Sequence, residues 1–245
     1  MKYSWLKNSP ICYKGLFDNN EIVENSIPAI TKAVDGGYNL FLNLSMTKDQ
    51  QLVVCESKKS PMILSSHKKI ENISSDDYEN LKLLTTQDKV PLLNEILKII
   101  NGKVGIIFRI PTNKQYKKII TELSKQLAYY KGKTAIVAAN YSEYFYVKKT
   151  KRDYPCGVIL KKMSSKFIYN VILFLNANKF KIIKPDFIIC DIYNLPNKYI
   201  DEFLYSNPYS YIISRTIIDK QSYKAALDYS DNFIFENYIP NKWKY

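Results

Sequence analysis

Residues 25–44 read Asn-Ser-Ile-Pro-Ala-Ile-Thr-Lys-Ala-Val-Asp-Gly-Gly-Tyr-Asn-Leu-Phe-Leu-Asn-Leu. Asn25-Ser26 supplies a side-chain cap and Pro28 follows within the first turn, so a helix is predicted over about 26–36. Gly36-Gly37 stops it. A short apolar run, 39–44, then reads as a buried strand. This couplet of amphipathic helix and short apolar strand is the unit from which parallel sheets are built.

The same unit recurs along the chain. Candidate strands lie at 10–13, 39–44, 104–110, 134–139, 155–160, 187–191, 209–214 and 232–235. Helical patterns lie near 26–36, 91–101, 114–130, 141–150, 165–180, 196–205 and 219–229. Eight strands with helices between them predict a TIM (β/α)8 barrel, read as a single domain over 1–245. Residues 52–90 break the rhythm: strand-like Gln51-Leu52-Val53-Val54-Cys55 is followed by lysine-rich polar sequence and a small helix from about Ser75 to Leu83. That segment reads as an insertion after the second strand.

Of the 245 residues, 46% are hydrophobic, which places the chain among globular proteins. The opening Met1-Lys2-Tyr3-Ser4-Trp5-Leu6-Lys7 is too short and polar for a signal-peptide core, and no eighteen apolar residues run together, so a cytoplasmic location is expected. Cys12, Cys55, Cys156 and Cys190 lie far apart in short apolar runs, the pattern of buried reduced thiols and not of a zinc site. A net charge of +13 favours phosphate-bearing partners, but the lysines are scattered through the helices, so nucleic acid is not expected.

Several runs resemble the glycerophosphodiester phosphodiesterase family. They are Ile11-Cys12-Tyr13-Lys14-Gly15-Leu16-Phe17-Asp18-Asn19-Asn20, Glu24-Asn25-Ser26-Ile27-Pro28-Ala29, and Gly37-Tyr38 with Thr47-Lys48-Asp49 and Leu52-Val53-Val54. The likeness continues through Ile70-Glu71-Asn72, Lys89 to Glu95, Gly102-Lys103-Val104, Lys184-Pro185-Asp186-Phe187 and Asp231 to Asn237. The resemblance implies a phosphoric diester hydrolase of lipid metabolism that works with two histidines and a divalent cation held by carboxylates. In such a reaction an acid/base pair serves the leaving alcohol, and the cation offsets phosphoryl charge.

At the positions that carry this chemistry the chain departs from the family. The opening histidine-arginine-glycine becomes Tyr13-Lys14-Gly15, and the two carboxylate ligands of the second strand become Phe41 and Asn43. The second histidine aligns with Glu56, the last metal ligand with Arg109, and an aromatic near the seventh strand with Arg215. Glu24 is kept, and His67, the lone histidine, aligns with an exposed loop. The resemblance therefore implies no intact acid/base pair and no bound divalent cation. Lys14, Arg109 and Arg215 against Glu56 give these matched positions a net charge of +2.

The expected ligand is a small phosphate-bearing molecule held by Lys14, Glu24, Asn43, Arg109 and Arg215, in a catalytically inactive family member. Pairing of Arg109 with Glu56 is an equal expectation. A weak diester hydrolase is an alternative. So is a membrane-surface accessory protein, because the run Phe167 to Leu175 lies between Lys161, Lys162, Lys166, Lys179 and Lys181; a helix covering the barrel explains the same run. Neither ligand identity nor oligomeric state is written in these residues.

Overall fold

The computed structural model describes residues 3–18, 20–58, 60, 64–65, 67–74, 77, 81–83, 86, 88–150, 153–160 and 182–240. The predicted helix 165–180, with the run proposed to touch a membrane, lies outside the described residues.

Strands β1 (Ile11–Tyr13), β2 (Asn39–Met46), β4 (Ile106–Arg109), β5 (Thr134–Ala138), β6 (Cys156–Ile159), β7 (Phe187–Asp191), β8 (Tyr211–Ile217) and β9 (Asn232–Phe235) pair in that order, all parallel. β1 bonds to both β2 and β9, which closes the eight into a (β/α)8 barrel. β3 (Leu52–Val54) adds to β2 from outside, antiparallel, with Leu44 opposite Val54.

Helices α1 (Ile27–Asp35), α2 (Leu93–Ile100), α3 (Tyr116–Leu127), α4 (Tyr141–Lys149), α5 (Lys198–Ser206) and α6 (Lys220–Tyr229) fall where the periodicity puts them. Ser26 caps α1 by accepting from the Ala29 N–H at 3.3 Å, with Pro28 in the first turn. Of the small helix predicted near 75–83 most lies outside the described residues; Lys82 and Leu83 bridge to Lys89 and Leu64 as extended backbone. Among the described residues no helix is long and apolar enough to cross a membrane.

The pleat sorts each strand into two sets. One set fills the barrel interior: Ile11, Phe41, Ile107, Val137, Ile159, Phe187, Ile189, Tyr211, Ile213 and Ile234. The other, with Leu40, Leu42, Ile106, Phe108, Ile136, Ile188 and Ile212, packs against the helices. Trp5 and Leu6, in the short 3-10 turn Ser4–Lys7, join the interior set. That turn is tied to the amino ends of two strands. Asn232 donates to the carbonyls of Leu6 and Ser9 at 2.7 and 2.8 Å, and Asn39 donates to Trp5 and Ser9 while accepting from the Gly105 N–H at 2.7 Å.

At the carboxyl end the chain turns sharply after β1. Lys14 and Gly15 both have positive φ, +64° and +87°. The Leu16 N–H reaches the Ala29 carbonyl at 2.9 Å, and the Asn25 N–H reaches the Lys14 carbonyl at 2.8 Å. This seats the turn on the start of α1 so closely that a Cβ on residue 15 would lie 2.6 Å from the Ala29 carbonyl carbon. Gly15→Ala should destabilise the protein by about 3 kcal/mol, since it combines a strained φ with a backbone clash. Urea unfolding checks this, and a loss within 0.5 kcal/mol of zero, roughly the size of an ordinary surface change, would refute the account.

Candidate functional site

The alternation that fills the barrel also decides what faces its open end. Continuing the interior set by two residues along each strand gives Tyr13 on β1, Asn43 on β2, Arg109 on β4, Asp191 on β7 and Arg215 on β8. Asn43 stands opposite Arg109 and Asp191 opposite Arg215 in register. The sequence-derived positions on these strands thus converge on one mouth, at the carboxyl ends where barrel sites form.

Tyr13 and Phe41 meet edge to face with centroids 5.6 Å apart, and Asn43 donates to the Tyr13 hydroxyl at 3.2 Å. Burial, then the Glu56 carboxylate, push the Tyr13 phenol above its ordinary range. It is therefore a poor proton donor near neutral pH.

Lys14 does not open into the mouth. Its left-handed backbone turns it into a buried carboxylate cluster, where it is 1% exposed. Its ammonium lies 2.7 Å from Glu24, 3.6 Å from Glu56 and 4.0 Å from Glu236, and 4.5 Å from the centre of the Tyr13 ring. Glu56 faces Lys14, and it makes no ion pair with Arg109, so the expected Arg109–Glu56 pairing is replaced by this cluster. The count of +2 likewise covered part of the rim. With Glu24, Glu236 and Asp191 included, four carboxylates face three cations. Glu236 and Asp191 have no part in the site as read from sequence, although each stands at or just past a strand's carboxyl end.

Arg215 donates to the Leu160 carbonyl at 3.3 Å, and its Nε is buried without a hydrogen bond. Burial, and next the neighbouring Arg109 charge, lower its pKa. Arg109 also faces Glu143 at the start of α4, whose pKa is raised by burial despite bonds from the Ala139 N–H and the Asn140 amide, both at 2.7 Å.

A cavity of about 350 Å³ opens beside this mouth. Asn43, Leu44 and Arg109 line it from the barrel, Pro111, Thr112 and Asn113 from the loop after β4, and Glu56 to Lys58 with Lys69, Glu71 and Asn72 from the segment after β3. Glu71 joins two of these walls, accepting from the Ser57 hydroxyl and, at 3.5 Å, from the Asn113 amide. Of the expected ligand-binding residues Asn43 and Arg109 line this cavity; Lys14, Glu24 and Arg215 do not. Lys58, Lys69, Glu71 and Asn113 were missed, because nothing in their spacing says that two loops meet. His67 is an exposed loop residue, and the four cysteines are buried and unbridged.

At the positions where the resemblance implies metal ligands, the donor set does not fit a hard divalent cation, which needs several oxygen ligands, usually carboxylates. Phe41 offers none, Asn43 offers one neutral amide oxygen, and Arg109 is itself a cation. Three carboxylates near the mouth, Glu24, Glu56 and Glu236, are gathered around the Lys14 ammonium. Among the described residues no group of three His, Cys, Asp or Glu side chains is placed to hold a metal.

Removing the Lys14 charge should be costly. Lys14→Met leaves Glu24, Glu56 and Glu236 facing one another, and breaking a buried pair from one side costs about 3–5 kcal/mol. Adding Glu24→Gln should restore part of that. Equal unfolding midpoints for the parent and Lys14→Met would contradict the role given to the cluster.

No protein-family model matches the chain, and no curated protein matches it by sequence. Solved structures do. An Oleispira antarctica phosphodiesterase, in complex with the product sn-glycerol-3-phosphate, superposes with a TM-score of 0.79 at 12% identity, covering 96% of this chain and 94% of that one. A glycerophosphodiester phosphodiesterase from Thermotoga maritima gives 0.72 at 15% identity over 93% and 94% of the two chains. Another from Agrobacterium tumefaciens gives 0.70 at 13% identity over 93% and 95%. The chain therefore has the (β/α)8 barrel fold of the glycerophosphodiester phosphodiesterases.

Proposed function

We propose that this chain is a non-catalytic member of the glycerophosphodiester phosphodiesterase family that binds a phosphate-bearing ligand at the barrel mouth without a metal. The observation that carries the reading is Arg109. Its side chain lines the cavity from a strand end, and it has no ion-pair or hydrogen-bond partner among the described residues. A guanidinium presents a fixed fork of donors suited to phosphate oxygens. Fold alone does not carry an activity, so the reading rests on the residues at the site.

Inactivity is supported by the same positions. Tyr13 and Glu56 do not make an acid/base pair matched to neutral pH: the phenol is pushed away from it, and the carboxylate faces the Lys14 ammonium. Phosphoryl charge would meet a tethered guanidinium where the family resemblance implies an exchangeable cation.

The test has two parts. Glycerophosphocholine and glycerophosphoethanolamine should be turned over no faster than in buffer, with calcium, magnesium or chelator; a chelator-sensitive turnover overturns the reading. In calorimetry glycerol-3-phosphate should bind the parent weakly, and more weakly as salt shortens the screening length below ~10 Å. Arg109→Glu should lower the affinity at least about tenfold, the worth of one charge-assisted contact. Equal binding by Arg109→Glu would show that the mouth is not the ligand site.

A further inference from the structure

The walls of the cavity hold five charged side chains, and they divide by sign. Both carboxylates are engaged, Glu71 through one oxygen only: Glu56 lies 3.6 Å from the Lys14 ammonium, and Glu71 Oε1 accepts from Ser57 and Asn113 while its Oε2 is buried without a hydrogen bond. None of the three cations is. Among the described residues Lys58, Lys69 and Arg109 have no hydrogen-bond or ion-pair partner. Three unpaired cations against two carboxylates leave the walls with a net positive charge, which favours an anionic occupant.

The cations also form two groups. Arg109 projects from the end of β4, beside Asn43 on β2. Lys58 and Lys69 belong to the other wall, where the bond between Ser57 and Glu71 holds their two stretches of chain together. Glu71 touches both that wall and, through Asn113, the loop that follows Arg109, so it stands between the groups. A single anion centred between them would meet the Glu71 carboxylate. Two anionic groups at the ends of one small molecule would avoid it and meet cations at both ends.

We propose that the cavity takes a small molecule with two phosphoryl groups, one on Arg109 and the other on Lys58 and Lys69. This rests on the proposed phosphate-binding reading and adds a second anionic subsite to it. The cavity's 350 Å³ is of the size that small-molecule sites require. Arg109 supplies directional bonds, whereas the two exposed lysines act as mobile point charges that close on the outer group.

The test is calorimetry on the full chain with inorganic phosphate, pyrophosphate and 1,3-propanediol bisphosphate, at fixed ionic strength. On the parent, at least one two-phosphoryl probe should bind about tenfold or more tightly than inorganic phosphate, as expected for one added charge-assisted contact. The double variant Lys58→Ala, Lys69→Ala should lose that preference while binding inorganic phosphate within about twofold of the parent, a change below ~0.5 kcal/mol. Lys98→Ala, Lys103→Ala removes the same charge from exposed positions at the far end of α2 and should keep the preference. Inorganic phosphate binding as well as both larger probes would overturn the two-subsite inference and leave the phosphate reading standing. A preference that survives in the Lys58, Lys69 variant, or falls equally in the Lys98, Lys103 variant, would overturn it as well. If no probe gives heat at millimolar concentration, both readings fall.

Discussion

The three residues of β1 hold the barrel closed. Ile11 and Cys12 pair with β9 on one side, and Ile11, Cys12 and Tyr13 pair with β2 on the other, so one short strand carries both seams. Closure fixes the pleat of every strand relative to its neighbours, and a slip of one residue would exchange the whole interior set for the helix-facing set. Ile11 must therefore point inward with Phe41 and Ile234, and Tyr13 must follow it two residues later at the mouth. The polar ties from Asn39 and Asn232 to the amino-terminal turn seat Trp5 at the opposite end, which seals the interior where no chemistry is needed.

That constraint explains why Lys14 is buried. It follows an inward residue in a turn with positive φ, and the turn is braced by backbone bonds from Leu16 and Asn25. Its ammonium is thus delivered into a space already bordered by Glu24 and Glu236 from the loops after β1 and β9. A lone ammonium there would be strongly disfavoured, and so would three carboxylates. Together they are tolerated, at the expense of the lysine's availability to a ligand. Arg109 makes no such pair: its strand partners at the mouth, Asn43 and Val137, are not acidic, and Glu143, which it faces, is held by the Ala139 N–H and the Asn140 amide.

The barrel was legible because each strand is a short apolar run between helix signals, and all eight predicted runs overlap observed strands. The positions at the mouth were legible for the same reason: Tyr13, Phe41, Asn43, Arg109 and Arg215 sit on strands whose facing up to those positions follows from counting. What failed to show was anything that depends on two irregular segments meeting. The stretch after β3 has no period from which to read facing, so Lys58, Lys69 and Glu71 looked like part of a solvated, lysine-rich loop. The pairing of Glu56 also went astray. Charge complementarity alone suggested Arg109, whereas the fold delivers Lys14 first.

In the proposed reading, a guanidinium at position 109 alters more than the local charge. An exchangeable divalent ion brings two charges and polarises the phosphoryl group it binds, and its site empties when the ion is chelated. A tethered guanidinium brings one charge spread over a planar fork, and it polarises less while orienting more. It also needs no surrounding carboxylates. Phe41 can then pack edge to face on Tyr13, and Asn43 can bond to the Tyr13 hydroxyl, where carboxylates in the same places would repel each other without a cation between them. The replacements at 41, 43 and 109 are thus mutually consistent: once Arg109 is present, an apolar ring and a neutral amide are the neighbours that leave it free to meet an anion.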